Sequence, residues 1–219
     1  MLPKPAFLFL LLGLPGAAFA QITLVSYTFE GTAAPVIGAD RSSITWNSGG
    51  AANYVSPVFS SQGAALSVQN FQFSEYFEIT LDATGYGSIA LNSFRTNGSI
   101  AAPADWKIAY SLTGTSGTFT DITSYTLSSS TAVVSTTVPA IFLPDAANDN
   151  AFLVLRLIAT STARVDGGVN AAQGTVRLDN ISFTATAIPE SSTSALMAGA
   201  AALVLCLWHR GRRRSVRGK

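Results

Sequence analysis

The sequence predicts an all-β protein whose body is a single antiparallel β-sandwich. Residues 21–187 show almost no apolar residues at helical spacing. Short runs rich in Val, Ile, Thr, Phe and Tyr alternate with clusters of Gly, Asn, Asp and Ser, as in strands joined by turns. Several runs place apolar residues at every second position, the pattern of a strand with one buried face. Many short strands of this kind favour a sandwich.

Seven segments are predicted to be strands, in chain order 22–29, 71–81, 89–94, 106–112, 119–127, 151–159 and 176–184. The segment 151–159 is nearly continuously apolar, which is typical of a central strand. In the last segment the apolar residues change parity after Asp179. This slip predicts a bulge or bend at Asp179 and Asn180.

The charge distribution argues against nucleic acid as a partner. Between Gln21 and Pro189 there are six basic and eleven acidic residues, a formal charge of about −5. Phosphate binding needs a basic surface, which this body lacks. Six of the last ten residues are Lys or Arg, but they directly follow an apolar segment, and this position favours a membrane stop signal.

The first 20 residues have the three parts of a secretory signal peptide. Lys4 supplies a positive charge, residues 6–14 are apolar, and the segment ends Ala18-Phe19-Ala20. The apolar stretch is short for a membrane span. We expect a signal helix that is cleaved after Ala20; the alternative is an uncleaved anchor.

A second apolar segment, 195–208, is followed by a basic tail, 209–219. Its 14 uncharged residues reach about 21 Å as a helix, which is short against a hydrocarbon core of about 30 Å. The basic tail stays on the cytoplasmic side. The sequence therefore predicts a short transmembrane helix that anchors the exported body to the inner membrane for a limited time.

The segment that precedes this helix gives the C-terminus a specific order of parts. Residues 188–194 read Ile-Pro-Glu-Ser-Ser-Thr-Ser and lead into the helix and the Arg-rich tail. This order, over residues 188–219, resembles the PEP-CTERM sorting segment of exported proteins of Gram-negative bacteria. Pro189 and Glu190 match its Pro-Glu-Pro motif, and Ser191 replaces the second proline. The resemblance implies an exosortase-type membrane enzyme as processing partner; the alternative is an ordinary single-span anchor.

Two pieces of the body resemble secreted jelly-roll sandwiches of the carbohydrate-binding type. They are residues 27–31, Tyr-Thr-Phe-Glu-Gly, and 177–183, Arg-Leu-Asp-Asn-Ile-Ser-Phe. In such sandwiches a structural calcium often joins the first and last strands, and the resemblance implies Glu30 and Asp179 as its ligands. The alternative is that Glu30 ends a strand and Asp179 caps the bulge through a local hydrogen bond.

The residue inventory leaves few routes to catalysis. His209 and Cys206 are the only histidine and the only cysteine, and both lie after the body. A Ser-His-Asp or Cys-His arrangement, a His or Cys zinc site and an intramolecular disulfide are therefore excluded from the body. Paired carboxylates remain, but Glu75 and Glu78 would point to opposite faces of a regular strand. We expect a protein that is not an enzyme and has no cofactor beyond a possible structural calcium.

The main hypothesis is a structural or adhesive protein of the cell surface or extracellular matrix, in an exopolysaccharide or biofilm. The alternatives are a carbohydrate-binding module and a polysaccharide hydrolase that uses paired carboxylates. Sugar binding requires exposed aromatic residues, whereas Trp106 alternates with apolar residues and is predicted to be buried. The candidates, which have polar or glycine-rich neighbours, are Trp46, Tyr54, Tyr76, Tyr86 and Tyr125.

Overall fold

The computed structural model describes residues 20–56, 63–129, 135–169 and 174–189, together with 199, 202 and 203. The signal sequence through Phe19, including Ala18, lies outside the described residues, as do Glu190, Ser191 and the basic tail. Of the predicted transmembrane helix, Gly199, Ala202 and Leu203 have helical backbone. In the part of the chain that the structure describes, no helix is both long and apolar enough to span a membrane.

The described body is made of antiparallel strands and a single 3-10 turn, Asp145–Ala147. The strands are β1 (Gln21–Tyr27), β2 (Ser42–Trp46), β3 (Ala52–Val55), β4 (Ala65–Phe71), β5 (Tyr76–Leu81), β6 (Tyr86–Leu91), β7 (Phe94–Gly98), β8 (Asp105–Ser111), β9 (Thr120–Thr126), β10 (Thr136–Val138), β11 (Ile141–Phe142), β12 (Leu153–Ala159), β13 (Gly174–Asp179) and β14 (Ile181–Ala187).

The strands pair into three sheets with the orders β1-β14-β6-β11, β10-β7-β13-β4-β3 and β2-β5-β12-β8-β9. The first two sheets form one layer, because the chain passes directly from one to the other twice and the paired strands β6 and β14 continue into the paired strands β7 and β13. It does so from β6 to β7, and from β13 to β14 across Asn180. We call this pair of sheets layer 1 and the third sheet layer 2.

The two layers enclose one hydrophobic core. The Phe71 ring of β4 lies 4.6 Å from the Phe77 ring of β5 and 5.3 Å from the Trp106 ring of β8, measured between centroids. Trp106 is fully buried, and its indole N–H donates to the Pro103 carbonyl at 2.9 Å. These contacts confirm the predicted β-sandwich and the predicted burial of Trp106.

The bend predicted at the end of the chain is confirmed. β13 ends at Asp179, β14 begins at Ile181, and Asn180 between them has φ 56°. Two other segments were predicted to be single strands, and both predictions were wrong because each segment is divided between two strands. Segment 71–81 is divided between β4 and β5 by a turn in which Ser74 has φ 68°, and segment 89–94 is divided between β6 and β7. The positive φ of Ser74 accounts for the first division, and the second falls at Asn92 and Ser93, between β6 and β7.

Candidate functional site

Layer 2 has an outer face, on the side of its sheet away from the core. Because side chains alternate along a strand, the neighbours of the buried Trp106 and Ile108 point to this face. Four of its residues are successive partners across β5, β12, β8 and β9: Tyr76, Ile158, Lys107 and Ser124. This outer row spans three strand spacings, about 14 Å, and all four side chains are exposed or half-buried.

Arg156 is the centre of the adjacent row on the outer face. Its guanidinium lies 4.1 Å from the Tyr76 ring centroid and 4.0 Å from the Phe119 ring centroid, so it is held between two aromatic rings. It also pairs with the Glu78 carboxylate at 2.7 Å and donates to the Thr115 carbonyl at 2.7 Å. Cation–ring and ion-pair contacts of this kind are each stronger where water is limited.

The β8–β9 loop, residues 112–119, folds over one end of the outer face. Besides the contact of Thr115 with Arg156, the Gly114 N–H donates to the Phe152 carbonyl at 3.0 Å. Val154 and Ser111 at this end are almost fully buried although they face outward. A cavity of about 300 Å³ lies there, and its lining includes Arg41, Thr80, Asp82, Thr115 and Phe152.

Asp82, beside this cavity, is held ionised. The Thr84 side chain and backbone N–H both hydrogen-bond to its carboxylate, the N–H at 2.9 Å, and lower the Asp82 pKa; the nearby Arg41 lowers it further. The carboxylate therefore remains a hydrogen-bond acceptor over the physiological pH range.

A second cavity, of about 340 Å³, lies at the opposite end of the outer face, next to the outer row. The Thr126 hydroxyl donates to Asp105 Oδ1 at 2.9 Å, and a carboxylate has room for further donors. The Tyr125 ring stacks on the Trp106 ring at 6.5 Å, and burial raises the pKa of the Tyr125 hydroxyl, which stays neutral. The cavity is lined by Asp105, Trp106, Ser124, Tyr125, Thr126 and Thr160.

The aromatic residues proposed from the sequence for sugar binding are scattered over the molecule. Tyr76 lies in the outer row, and Tyr125 borders the 340 Å³ cavity beside it. Trp46 is half-buried against the core and donates to the Gly50 carbonyl at 3.1 Å. Tyr86 packs under Arg41, and Tyr54 lies on the edge strand β3 of layer 1.

The sequence reasoning missed Arg156, Phe119 and Asp105 as members of a common face. Arg156 stands alone in an apolar run, and a charged residue inside a predicted central strand was the available signal. Such a residue, facing away from the core, marks the side of the sheet that is open to polar contacts.

The candidate acids have structural partners in the fold. Glu78 pairs with Arg156. Glu75 lies in the turn before β5, where its Oε2 accepts the Gln72 N–H at 2.6 Å, and burial raises the Glu75 pKa. The two side chains therefore belong to different local arrangements.

Glu30 and Asp179 lie at one corner of layer 1. Glu30 is exposed, and its Oε1 accepts the Ala64 N–H at 3.1 Å at the start of β4. Asp179 is fully buried at the end of β13, one residue after Leu178, which is the register partner of Leu66 in β4. Within the described residues, no three His, Cys, Asp or Glu side chains are grouped as a metal site. Two carboxylates supply only part of the roughly six to eight oxygen ligands of calcium, so calcium here stays a prediction.

Comparisons with known proteins find similarity in structure only. No protein-family model matches the chain, and no curated protein matches it in sequence. The CBM22-1-GH10 modules of Clostridium thermocellum xylanase 10B, solved with xylohexaose, match with 13% identity and a TM-score of 0.50, over 77% of this chain and 29% of that chain. The K2 cleaved adhesin domain of Lys-gingipain matches with 14% identity and a TM-score of 0.46, over 76% and 99%. The similarity to the xylanase modules shows a shared β-sandwich fold.

Proposed function

We propose that the body binds polysaccharide along the outer face of layer 2. The observation that carries this proposal is the outer row, which places the Tyr76 ring, the apolar Ile158 and the polar Lys107 and Ser124 in line on a solvent-accessible sheet face. Ligand sites combine apolar and aromatic surface with a few oriented polar groups. A sugar chain presents the complementary surfaces, because its rings have apolar C–H faces and hydroxyl edges.

The cavity beside the row supplies the hydrogen-bonding part of the site. Asp105 accepts hydroxyl donors, and Ser124, Thr126 and Thr160 both donate and accept. The Arg156 guanidinium packs against the Tyr76 ring from the side of the outer row that faces away from this cavity. The ring is therefore oriented before a ligand binds. Preorganisation of this kind reduces the entropy cost of binding.

The shared fold supports the ligand class by analogy. The xylanase structure whose sandwich resembles this one contains xylohexaose, a linear neutral oligosaccharide. An analogy of fold does not assign function by itself, and for that reason the proposal is based on the outer row.

The test is a binding titration of the full chain with neutral linear oligosaccharides, xylohexaose among them. We expect Tyr76→Ala to weaken binding by at least about two- to tenfold, since one aromatic contact contributes about 0.5–1.5 kcal/mol beyond its buried area. Tyr54→Ala, the same change on the other layer, should leave affinity unchanged. No binding to any of these glycans, or equal losses in the two variants, would contradict the proposal.

We also infer from the chain ends that the protein is exported and sorted. The first strand begins at Gln21, directly after the expected cleavage site at Ala20, and the last strand ends at Ala187, directly before the motif segment 188–194. This placement supports a body bounded by two removable segments. Mass spectrometry of protein from the medium and the envelope should find an N-terminus at Gln21 and a C-terminus within 189–193. An intact Arg-rich tail in all recovered protein would refute processing.

The proposed role is binding without catalysis, at the cell surface or in an extracellular polysaccharide matrix. Glu78 is paired with Arg156, and Asp105 accepts the Thr126 hydroxyl and is proposed to accept ligand hydroxyls, so the proposal gives neither carboxylate a catalytic role. Turnover of a polysaccharide by the purified chain, abolished by changing one Asp or Glu, would overturn this part of the proposal.

A further inference from the structure

A row of polar residues crosses the outer face of layer 1, on the opposite side of the molecule from the proposed sugar site. Asn53, Ser67, Arg177 and Asn97 are successive partners across β3, β4, β13 and β7. Directly opposite residues in antiparallel strands have Cβ atoms about 4.5–5.5 Å apart. We call these four residues the Arg177 row.

Arg177 differs from the other basic residues of the described body. Arg156, Lys107 and Arg164 form ion pairs, Arg41 lies over the Tyr86 ring, and Arg95 has its own polar or charged partner. Within the described residues, Arg177 alone among basic side chains makes no hydrogen bond, ion pair or ring contact. Because Arg177 is half-buried, its charge has lost part of its hydration without a counter-ion in return.

In the described part of the chain, Asn97, beside Arg177, has a buried side-chain oxygen that lacks a hydrogen-bond donor. Its side chain is 5% exposed, and within the described residues its Oδ1 is buried without a hydrogen-bond donor. A buried acceptor left unpaired costs about 1–3 kcal/mol. Ser67 on the other side of Arg177 is 6% exposed and brings a hydroxyl to the same place.

The neighbouring row leaves the positive charge of Arg177 uncompensated. There Arg95 and Asp179 are direct partners, one basic and one acidic. These two rows together therefore have one net positive charge, in a body that is acidic overall. A local reversal of sign of this kind is a place where an anionic group gains both charge and hydrogen bonds.

We propose that the Arg177 row binds the carboxylate of an acidic sugar, so that the body has a second polysaccharide site on the layer opposite the first. A guanidinium donates two parallel hydrogen bonds to a carboxylate, which accounts for Arg177. The amide oxygen of Asn97 requires a donor, and a carboxylate has none. A sugar acid supplies both, because its carboxylate lies beside hydroxyl groups. This proposal shares only the broad class of ligand with the proposed function and uses none of the same residues.

The test compares polygalacturonate with its fully methyl-esterified form, which has the same sugar without the charge. We expect the full chain to bind polygalacturonate, and esterification to weaken binding roughly tenfold or more, since that factor corresponds to about 1.4 kcal/mol. Arg177→Gln should produce a similar loss. Arg164→Gln removes the same charge from an ion-paired, half-buried site and should bind as the original chain does.

Three further measurements distinguish a sugar-acid site from a purely structural arginine, from the first sugar site and from simple charge attraction. Arg177→Gln should hardly change the melting temperature, because no hydrogen bond, ion pair or ring contact of the described residues is lost and glutamine keeps part of the side-chain stem, whereas a purely structural arginine would lower it. Tyr76→Ala should retain polygalacturonate binding, so failure of the first sugar site leaves this result unaffected. Equal binding by Arg177→Gln and the original chain would overturn the proposal. Equal binding of poly-glutamate, which has carboxylates without hydroxyls, would overturn the assignment to a sugar.

Discussion

At the scale of single residues, Arg156 links three parts of layer 2. It joins the sheet through Glu78, the outer row through Tyr76, and the β8–β9 loop through Phe119 and Thr115. The side chains of the ion pair are only 18% and 12% exposed. Removal of the cation would leave the Glu78 carboxylate without its partner in a place that water hardly reaches.

Arg156→Ala is therefore expected to lower the free energy of unfolding by about 2–4 kcal/mol, measured by urea denaturation. Arg164→Ala is the matched control, because its ion pair with Asp166 is about one-third exposed and contributes roughly 0–1 kcal/mol. Equal losses in the two variants would show that burial of the Arg156 pair has no energetic importance.

Tyr27 gives the fold a defined sensitivity to alkali. Its hydroxyl lies 2.6 Å from the Ser42 hydroxyl, which donates to the Thr80 carbonyl, and burial raises the Tyr27 pKa to about 12. An unfolded tyrosine has a pKa of about 10. The folded state thus disfavours the phenolate, and the stability that Tyr27 provides is complete below pH about 10 and is lost as the pH rises toward about 12.

Tyr27→Phe should accordingly flatten the fall of unfolding free energy between pH about 10 and about 12, by roughly 1–3 kcal/mol over that window. At neutral pH the variant should lose about 1 kcal/mol, the contribution of one hydrogen bond. Urea titrations at several pH values measure both effects. A variant with the same alkaline slope as the original chain would contradict this account of Tyr27.

At the scale of elements, Asn180 allows the chain to continue from β13 in one sheet directly into β14 in the next. Its φ of 56° lies in the left-handed region, and the strands on either side belong to different halves of layer 1. Asparagine adopts this region more readily than other non-glycine residues, and a β-branched residue does so at a cost.

Asn180→Val should destabilise the protein by about 1–2 kcal/mol, and Asn180→Gly should be neutral or slightly stabilising. Asn53→Val, an exposed asparagine in a regular strand, is the control and should be close to neutral. Chemical denaturation distinguishes the three. A tolerated valine at position 180 would mean that the bend is not needed for the fold.

The sequence predicted elements well where apolar alternation is strong. The predicted segments 106–112 and 151–159 correspond to β8 and β12, and the parity change at Asp179 predicted the bend. It did not predict β2 and β3, because residues 42–55 are rich in Ser, Asn and Gly and only Ile44 of the apolar residues in these two strands is fully buried. The site was harder to predict, because Tyr76, Lys107 and Ser124 are neighbours only through strand register, which no local pattern specifies.

At the scale of the whole molecule, the sandwich has one core shared by both layers. Aromatic contacts from Phe71 to Phe77 and Trp106, and from Phe94 to Tyr125, cross between the layers. Neither layer keeps its buried face without the other, so we expect the body to unfold as one unit.

Thermal unfolding of the body should therefore show a single transition. Far-UV circular dichroism, which follows the strands, and tryptophan fluorescence, which follows Trp46 and Trp106 against the core, should give the same midpoint. Midpoints that differ by several degrees would show that the layers unfold independently.

The position of β14 has a consequence for how the molecule bears force. This strand lies between β1 and β6, it runs antiparallel to β1 with Gln21 opposite Thr186, and its last backbone contact is the Ile188 N–H donating to the Gly85 carbonyl at 2.8 Å. A pull on the chain beyond Ala187 that is opposed at the outer face of layer 2 loads the hydrogen bonds on both sides of β14 together in shear, whereas a pull opposed at Gln21 would open the β1–β14 pair from its end. An attachment at this end therefore resists a load carried by layer 2, because many bonds must break at once before β14 slides.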